Sequence, residues 1–464
     1  MNLPRLPKYA NNPLIAGLPP ESISDDALLK LLSFPIDVPG EDIRRQPARI
    51  RLFLCEDLRR LQIVLDRDFE LELEIATTIR EGYVDRLPAP RYWRDHDKEV
   101  AAILAKVHAD SPAFTNSRCI AVTGISGAGK TRSIDAALSM YPQVITHDTA
   151  KNPLLPLKQV VWLKLDFPSN RSPKALCKKF FKELGRVVGE PYETTFGGRN
   201  VDEMLSDMAR LAREHFLGIL VIDEIQHASG QSDKAPQALL RFIITMSNEL
   251  KMPILLIGTT KALRELRQRL ATIRRLIGLT YDRFEKADPQ WVYFVSQLWE
   301  YHYTREAVEI TDKLFDVFYD LTQGIPAFAI SLFVLAQRRE ITRSANGEGA
   351  DRLDVDSFTS VYRDYFKAVD PVIQALRAGD DLAIEQFEDL PSKFRLDAFI
   401  REQTETYLAR ELKGIDRAVG RAGKTMKTRI PALFQRFTAK LEERVEEKAD
   451  SLDKSAKVMC GAAK

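Results

Sequence analysis

Residues Cys119–Thr131 read CIAVTGISGAGKT, a short apolar run that ends in a glycine-rich turn followed by lysine and threonine. The turn fits the pattern G-x-x-x-x-G-K-[ST], in which glycines let backbone N–H groups converge on phosphate oxygens. The apolar run predicts a buried strand, and RSIDAALSMY after the turn predicts a helix whose positive end faces the anion. The residues predicted to bind the nucleotide are Gly124, Ser126, Gly127, Ala128, Gly129, Lys130, Thr131 and Arg132.

Two side chains of this loop have specific predicted roles. Lys130 is expected to reach the β- and γ-phosphates, and Thr131 is expected to ligate Mg²⁺. A shorter run, GRAGKT at Gly420–Thr425, resembles the end of the same pattern. No apolar strand precedes it, so we interpret it as a basic, solvent-exposed segment.

The composition does not identify the function, but it indicates the cellular compartment in which the protein acts. The 464 residues have room for two or three domains, and a net charge of +2 with 29% charged residues does not by itself indicate a nucleic-acid-binding protein. Four cysteines are scattered without metal-ligand spacing, which favours free thiols in a reducing compartment. The N-terminus lacks a signal-peptide pattern and no run of about 18 apolar residues occurs, so we expect a cytoplasmic protein with no membrane partner.

A second motif, which contains two acidic residues, lies in FLGILVIDEIQH, residues Phe216–His227. Its apolar run predicts a buried parallel strand that places Asp223 and Glu224 at the carboxyl edge of a sheet, where ligands bind. Asp223 is predicted to hold Mg²⁺, and Glu224 to orient and deprotonate the attacking water. The alternative, in which the two acids merely start a helix, is less favoured because of the phosphate loop upstream.

The next predicted strand, MPILLIGTT, ends in Thr259 and Thr260, one of which is expected to contact the γ-phosphate or the lytic water. The stretch KALRELRQRLATIRRLIGLTYDRF that follows is interpreted as an arginine-rich helix. One arginine is predicted to reach the nucleotide of a neighbouring subunit as an arginine finger, with Arg275 favoured over Arg274. For any single arginine, an exposed helix face is the alternative. The six arginines are Arg264, Arg267, Arg269, Arg274, Arg275 and Arg283.

The N-terminal region, residues 1–90, opens with NNPLIAGLPP, whose prolines predict an extended chain. Three helices are predicted after it, in SISDDALLKLLS, ARIRLFLCEDLRRLQIV and ELELEIATTIREGY. We interpret the region as a helical, partner-docking domain. The alternative, that it only packs on the core, stays open.

The whole chain is predicted to have an α/β fold, with a parallel sheet between helices, a helical lid, and helical N- and C-terminal regions. The nucleotide-binding core covers residues 91–287, the lid 288–345, and a charged helical extension 346–464. A strand is predicted over Gln159–Phe167, and Ser172 is predicted to cap the helix that starts at Pro173. Between Lys413 and Lys440, eight basic residues and one acidic residue predict contact with phosphates or an acidic partner, with an exposed tail as the alternative.

The motifs GISGAGKT, LVIDEIQH and LLIGTT, with an arginine-rich stretch and a helical lid, resemble those of AAA+ ATPases. More narrowly, NNPLIAGLPP, IREGYVDR and LDFPSNRSPKALCKKFFKELG resemble the TniB/TnsC family of transposition regulators, over residues 10–340. The resemblance implies ATP and Mg²⁺ as cofactors and a homo-oligomer, ring or helical filament, on double-stranded DNA. It also implies a transposase and a target-selection protein as partners. The DNA contacts that it implies are Arg171, Lys174 and Thr195, with Thr194 as the alternative to Thr195.

One position departs from the AAA+ pattern. Ala327 follows Gly324-Ile325-Pro326, where many AAA+ proteins carry a sensor arginine, and this favours a slow switch over a fast motor. A GTPase is disfavoured because no N-K-x-D motif follows the acidic strand, and an ABC ATPase because L-S-G-G-Q is missing. Two alternatives stay open: a nucleotide-gated signalling or defence NTPase, and a replication-type AAA+ loader.

Overall fold

The computed structural model describes residues 6–10, 12–84, 119–147, 158–168, 172–225, 252–259, 276–367, 369–380 and 384. They all belong to one compact unit, Met1–Leu396. Several predicted features lie outside the described residues: Arg171, Thr260, Arg274, Arg275, the segment Lys413–Lys440 and the run Gly420–Thr425.

The described residues contain seven strands: β1 (Cys119–Gly124), β2 (Val144–Thr146), β3 (Lys158–Val160), β4 (Trp162–Asp166), β5 (Ile219–Asp223), β6 (Ile254–Ile257) and β7 (Leu276–Tyr281). Five of them form a sheet in the order β4-β5-β6-β1-β7, with every neighbouring pair parallel. The strands β2 and β3 pair antiparallel, apart from this sheet.

Helices precede, cover and follow the sheet. In the described residues they are α1 (Pro7–Ala10), α2 (Pro13–Ala16), α3 (Asp25–Leu32), α4 (Glu41–Arg44), α5 (Ala48–Cys55), α6 (Asp66–Val84), α7 (Lys130–Ser139), α8 (Pro173–Val188), α9 (Tyr192–Phe196), α10 (Val201–Glu214), α11 (Pro289–Trp299), α12 (Asp312–Thr322), α13 (Pro326–Ala345), α14 (Val355–Tyr365) and α15 (Asp370–Ala378). The predicted α/β fold, a parallel sheet between helices with helical N- and C-terminal regions, is confirmed.

The central strands β1, β5 and β6 are buried along their whole length. Because successive side chains of a strand point to opposite faces, each strand contributes to two hydrophobic clusters. In β1, Ile120 and Val122 pack with the N-terminal and lid helices, whereas Cys119 and Ala121 pack with α8 and α10. The sheet therefore lies between two helical layers, and its carboxyl edge is left for a ligand.

Three local predictions were wrong in part. The prolines of NNPLIAGLPP do not keep the chain extended: α2 begins at Pro13, with the Asn12 side chain accepting a hydrogen bond from the Leu14 N–H at 3.0 Å. Proline is tolerated there because the first helical N–H needs no intrahelical acceptor. The predicted strand over Gln159–Phe167 is divided into β3 and β4 at Val161, whose N–H donates to the Gln143 carbonyl at 2.9 Å.

The third error concerns the end of the arginine-rich stretch. LIGLTY, expected to be helical, is strand β7, which pairs with β1 along its length. The pairing gives its backbone groups partners that the local sequence cannot reveal, and its aliphatic residues suit a strand as well as a helix. Of the predicted arginines, Arg283 follows this strand and does not lie on a helix.

The N-terminal region packs on the helices that follow the sheet. Arg51 of α5 is buried and forms a two-pronged ion pair with the buried Asp351, at 2.9 and 2.7 Å, and also donates to the Tyr303 carbonyl at 2.8 Å. A second ion pair joins Glu56 to Arg338. Removing one partner of a buried pair leaves an uncompensated charge, so these contacts tie the two regions together. A docking role for residues 1–90 stays a prediction.

The lid helices share an aromatic core. The Trp299 ring lies 5.9 Å from Phe318, 5.2 Å from Phe333 and 5.8 Å from Phe358, measured between centroids. Phe358 belongs to α14, beyond the predicted lid boundary at residue 345. The three boundaries between the four predicted domains stay predictions, but this core continues across one of them.

Two predictions, of free cysteine thiols and of no membrane-spanning run, can be compared with the described residues. Cys55, Cys119 and Cys177 are free and buried, and burial raises the pKa of the Cys119 thiol to about 12. In the part of the chain that the structure describes, no single helix is long and apolar enough to cross a membrane. The helices α12 and α13, bent by 119° at their junction, meet that test only as a pair, by length and composition.

We predict a pH-dependent stability from His302, a buried residue of the lid core. Burial, and then the charge of Arg44, lower the pKa of His302 from 6.5 to about 4. The folded state therefore binds this proton less readily than the unfolded state, and the stabilising contribution is present above pH 6.5 and lost as pH falls toward 4. The expected loss is about 3 kcal/mol at pH 4, from 1.36 kcal/mol for each pKa unit.

The measurement is chemical denaturation between pH 4 and pH 7.5, with His302→Gln compared with the wild type. The variant should lose less stability on acidification, because it carries no titrating group at this position. Identical pH profiles for the two proteins would contradict the assignment.

Candidate nucleotide-binding site

The loop between β1 and α7 has a backbone that requires glycine. Gly124 has a φ of 144°, and a Cβ there would lie 1.9 Å from the Tyr281 carbonyl oxygen. Gly127 has a φ of 85°, in the left-handed region that L side chains rarely adopt. The loop ends at α7, so the unpaired N–H groups of that helix lie at the carboxyl edge of β1, as an anion site needs.

The lysine of the loop folds back over it. Lys130 donates from Nζ to the carbonyls of Gly124 at 2.7 Å and Ile125 at 2.8 Å. The ammonium group is therefore held at the loop, where a phosphate oxygen could replace a carbonyl as its acceptor. The role of Lys130 in phosphate binding stays a prediction.

The two predicted magnesium ligands contact each other. Thr131 Oγ1 donates to Asp223 Oδ2 at 3.0 Å, although the two residues are 92 positions apart in the sequence. Asp223 is only 3% exposed, and its other oxygen, Oδ1, accepts the Glu224 N–H at 2.7 Å. A hydroxyl and a carboxylate are the hard oxygen ligands that Mg²⁺ prefers.

Burial raises the pKa of the Asp223 carboxyl, whereas the Lys164 charge and then the Thr131 hydrogen bond oppose this shift. Lys164 Nζ lies 3.5 Å from Asp223 Oδ2 and 2.5 Å from Asp135 Oδ1. Lys164 and Asp135 were missed by sequence reasoning. The only signal was a lysine inside the apolar strand QVVWLKLDF, whose charge had to find a partner.

The geometry fits a nucleoside triphosphate with Mg²⁺. Glycine-rich backbone, a lysine and a helix N-terminus suit the phosphates, and Thr131 with Asp223 suits the cation. Among the described residues no three His, Cys, Asp or Glu side chains lie together as a metal site. When bound, such a group supplies a phosphoanhydride bond and a cation that neutralises charge on its oxygens.

Glu224 has a φ of 61°, which is unusual for a residue other than glycine. Left-handed backbone costs about 1–2 kcal/mol, and such positions cluster at active sites. The turn begins directly after β5, and the bond from the Glu224 N–H to Asp223 holds it. Glu224 directly follows the predicted metal ligand Asp223 in the sequence, and its role as the base stays a prediction.

The predicted sensor Thr259 is 3% exposed and follows β6 by two residues. Gly258 donates its N–H to the Val122 carbonyl at 3.1 Å, so the chain stays beside β1 up to this point. Since β5, β6 and β1 are parallel neighbours, Thr259 lies at the same sheet edge as Asp223 and the loop. The catalytic roles of these residues stay predictions.

The lid touches the phosphate loop at Ala327, the position without an arginine. The Ala327 N–H donates to the Gly127 carbonyl at 3.2 Å. A Cβ at Gly127 would lie 3.2 Å from Ala327 Cβ and 3.1 Å from Ile325 Cγ2. The small side chain at 327 therefore allows α13 to start directly against the loop.

The other predicted residues have the following positions. Ser126 is exposed, Ala128 is buried, and Gly129 and Arg132 are partly buried. Arg283 donates to the Gln323 side chain at 3.0 Å and pairs with Glu285 at 3.8 Å, so it is engaged within its own chain.

The candidate DNA contacts lie on α8 and α9. Ser172 caps α8 as predicted, and Lys174, partly buried, occupies the first turn of that helix. Thr194 and Thr195 are exposed on α9, and both hydroxyls donate to the Pro191 carbonyl, at 2.9 and 3.0 Å. DNA binding by these residues stays a prediction.

Comparison with known proteins assigns the class of the central domain. Residues 115–266 match the family model described as an AAA domain, and the fold and site above agree with it. The chain therefore carries an AAA-type P-loop domain. No curated protein matches the sequence significantly, and the narrower TniB/TnsC resemblance stays a prediction.

The chain is similar to several solved structures. A Walker-type ATPase of Pyrococcus abyssi matches with 13% identity and a TM-score of 0.36, covering 66% of this chain and 88% of that chain. The Aeropyrum pernix ORC1 protein in complex with DNA matches with 15% identity and a TM-score of 0.35, over 67% and 84%. Drosophila ORC bound to DNA matches with 15% identity and a TM-score of 0.34, over 85% and 87%.

We predict that Gly127→Ala weakens nucleotide binding by about tenfold or more, because the new Cβ meets the start of α13 and the left-handed backbone is strained. Gly198→Ala is the matched control, since a Cβ there would have no atom within 4 Å and its φ is not positive. Titration with a fluorescent ATP analogue measures both. Equal affinity of the two variants would contradict the role of Gly127.

Proposed function

We propose that the protein is a slow ATPase that regulates transposition: it assembles on double-stranded DNA and links a target-selection protein to a transposase. The observation that chiefly supports the ATPase part is the hydrogen bond between Thr131 and Asp223. It joins the phosphate loop to the acidic strand, as a nucleotide site with a magnesium ion requires.

In this proposal the chain's own residues act at three points. The loop N–H groups and Lys130 bind and orient the phosphates. Thr131 and Asp223 would hold Mg²⁺. Glu224 would accept a proton from the attacking water, with Thr259 at the same sheet edge to position it. The absence of an arginine at Ala327 removes one source of charge stabilisation, so hydrolysis is expected to be slow.

Oligomer formation is the second part of the proposal. An arginine supplied by a neighbouring subunit would complete the site, with Arg275 and then Arg274 as candidates. Hydrolysis would then depend on assembly, and the lifetime of the assembly would depend on hydrolysis.

The DNA part is supported by a row of basic residues on α8. Lys174, Lys178 and Lys182 are spaced four residues apart, so they share one face of the helix, and Lys178 and Lys182 are exposed. A Cβ at Gly197 would lie 3.7 Å from Lys178 Cγ, which places this row beside the end of α9, near Thr195. Lysines in such a row can contact phosphates without reading sequence.

The transposition part is supported by a contact between two segments of the family resemblance. Asn12 of NNPLIAGLPP donates from Nδ2 to the Tyr83 carbonyl of IREGYVDR at 3.2 Å. Arg80 of the second segment donates to the Pro19 carbonyl of the first at 2.7 Å. Because each segment satisfies polar groups of the other, their joint occurrence has a structural reason.

The test of the proposal is assembly on DNA. Purified protein is mixed with duplex DNA and either ATP, a slowly hydrolysed analogue, or no nucleotide, and is examined by negative-stain microscopy. We expect rings or filaments on DNA only with nucleotide, and none with Lys130→Ala. A signalling or defence NTPase predicts no DNA association, and its absence at low salt would overturn the proposal.

A replication-type loader would also bind DNA, so a second assay is needed. If a transposase and a target-selection protein are encoded by neighbouring genes, strand transfer reconstituted with them should depend on this protein and on ATP. Strand transfer that is indifferent to the protein would favour the loader.

We predict that Glu224→Gln retains ATP binding, loses most ATP hydrolysis and lengthens the lifetime of DNA complexes. The amide keeps the shape of the side chain but cannot accept the proton from water. Phosphate release and DNA dissociation are measured on the same preparation. Normal turnover would mean that another residue is the base.

We also predict that Lys174→Ala and Lys178→Ala each weaken DNA binding and reduce the slope of log Kobs against log salt by about 0.9. Lys313→Ala is the control, because Lys313 is exposed in the first turn of α12 as Lys174 lies in the first turn of α8. DNA titrations at several salt concentrations give the slopes. Slopes equal to that of the control would remove this surface from the proposed DNA contact.

A further inference from the structure

Two consecutive carbonyls of the phosphate loop are held from outside the loop. The Gly127 carbonyl accepts the Ala327 N–H of the lid at 3.2 Å. The Ala128 carbonyl accepts a hydrogen bond from Arg67 Nη2 at 2.8 Å. Arg67 lies in the first turn of α6, so the N-terminal region reaches the loop that would bind the phosphates.

The guanidinium group of Arg67 is fixed on several sides. It donates from Nη1 to the Asp282 carbonyl at 3.1 Å and lies over the rings of Tyr281, at 4.6 Å, and Phe284, at 4.2 Å. Its Nε is buried and has no hydrogen-bond partner among the described residues. Two hydrogen bonds and two ring contacts therefore fix the position of this guanidinium group.

The consequence for the loop follows from peptide geometry. The described residues contain no cis peptide bond, and in a planar trans peptide the C=O and the N–H point in opposite directions. By holding the Ala128 carbonyl, Arg67 turns the Gly129 N–H to the opposite side of the loop. Without this hold the peptide could rotate, because Gly127 and Gly129, both at positive φ, flank Ala128 and tolerate many backbone conformations.

We propose that Arg67 is a positioning residue for the triphosphate: it holds the Ala128–Gly129 peptide with its N–H directed toward the bound phosphate. This inference rests on the proposed nucleotide binding and extends it, since nucleotide binding and the order of the N-terminal region become linked. By thermodynamic reciprocity, a loop that binds phosphate better when α6 is docked also docks α6 better when phosphate is bound.

The same helix connects the loop to the N-terminal segments. Tyr141, just after α7, donates to Glu72 Oε1 of α6 at 2.9 Å, and Arg80 of α6 bonds Glu21 at 3.3 Å. The first contact joins α6 to the chain just after the phosphate-loop helix, and the second joins α6 to Glu21, which directly follows the NNPLIAGLPP segment. Nucleotide binding should therefore stabilise α6 beyond its first turn.

The test compares Arg67→Gln and Arg67→Lys with Arg51→Gln, in the full chain. Arg51 is a buried arginine of the same N-terminal region, but it bonds Asp351 and Tyr303, not the loop. We expect Arg67→Gln to weaken binding of a fluorescent ATP analogue about tenfold, the effect of losing one hydrogen bond. The affinity of Arg67→Lys for the analogue should lie between those of the wild type and Arg67→Gln, because one ammonium group cannot reach both the Ala128 and the Asp282 carbonyls. Arg51→Gln should lower Tm but leave the dissociation constant within about twofold of the wild type.

A second measurement does not depend on the folding of any variant. Hydrogen exchange of the wild-type protein, with and without the ATP analogue, should show increased protection of amides in Asp66–Val84 on binding. Wild-type affinity in Arg67→Gln, or unchanged protection of this helix while the analogue is bound, would overturn the inference. Failure of the wild type to bind the analogue at all would instead overturn the proposed function.

Discussion

The parallel pairing of β1 with both β6 and β7 is the constraint on which the site depends. It aligns Val122 with Ile257 on one side and with Leu279 on the other, and it brings Tyr281 so close to position 124 that only glycine fits. Because parallel strands end at the same sheet edge, this pairing, continued to β5, collects the phosphate loop, Asp223 and Thr259 from distant parts of the sequence. The hydrogen bond from Thr131 to Asp223 is the direct result.

The regions around the sheet take part in the site. The lid contributes the Ala327 N–H, and the N-terminal region contributes Arg67, so both hold the backbone of the loop at neighbouring residues. The buried pair of Arg51 and Asp351 in turn joins the N-terminal region to the helices after the sheet. The loop, the lid and the N-terminal helices are therefore each bonded to the other two.

Sequence reasoning succeeded where a local pattern was sufficient. The glycine spacing around Lys130 and the apolar run before Asp223 each predicted both the element and the chemistry, because backbone freedom and burial act within a few residues. Sequence reasoning failed where a residue's structure or role depends on a partner that is distant in the sequence. β7 was expected to be helical because the local sequence does not reveal that it pairs with β1. Thr123 of β1, whose hydroxyl donates to the Leu279 carbonyl of β7, is 156 residues away from Leu279 in the sequence. Lys164 and Arg67 carried no motif, since their importance comes from Asp223 and Ala128, which they meet only in the folded chain.

The sequence by itself determined that this chain has a P-loop, an acidic strand and a surrounding α/β fold, because glycine conformations and the burial of apolar strands are local physical demands. The tertiary structure alone decided three other features. They are the division of the predicted strand at Val161, the contact of Asn12 with Tyr83, and the hydrogen bond from Arg67 to the phosphate loop. The physical reason is the same in each case. A buried polar group must find a partner, and in these cases the partner belongs to an element that is distant in the sequence and adjacent only after folding.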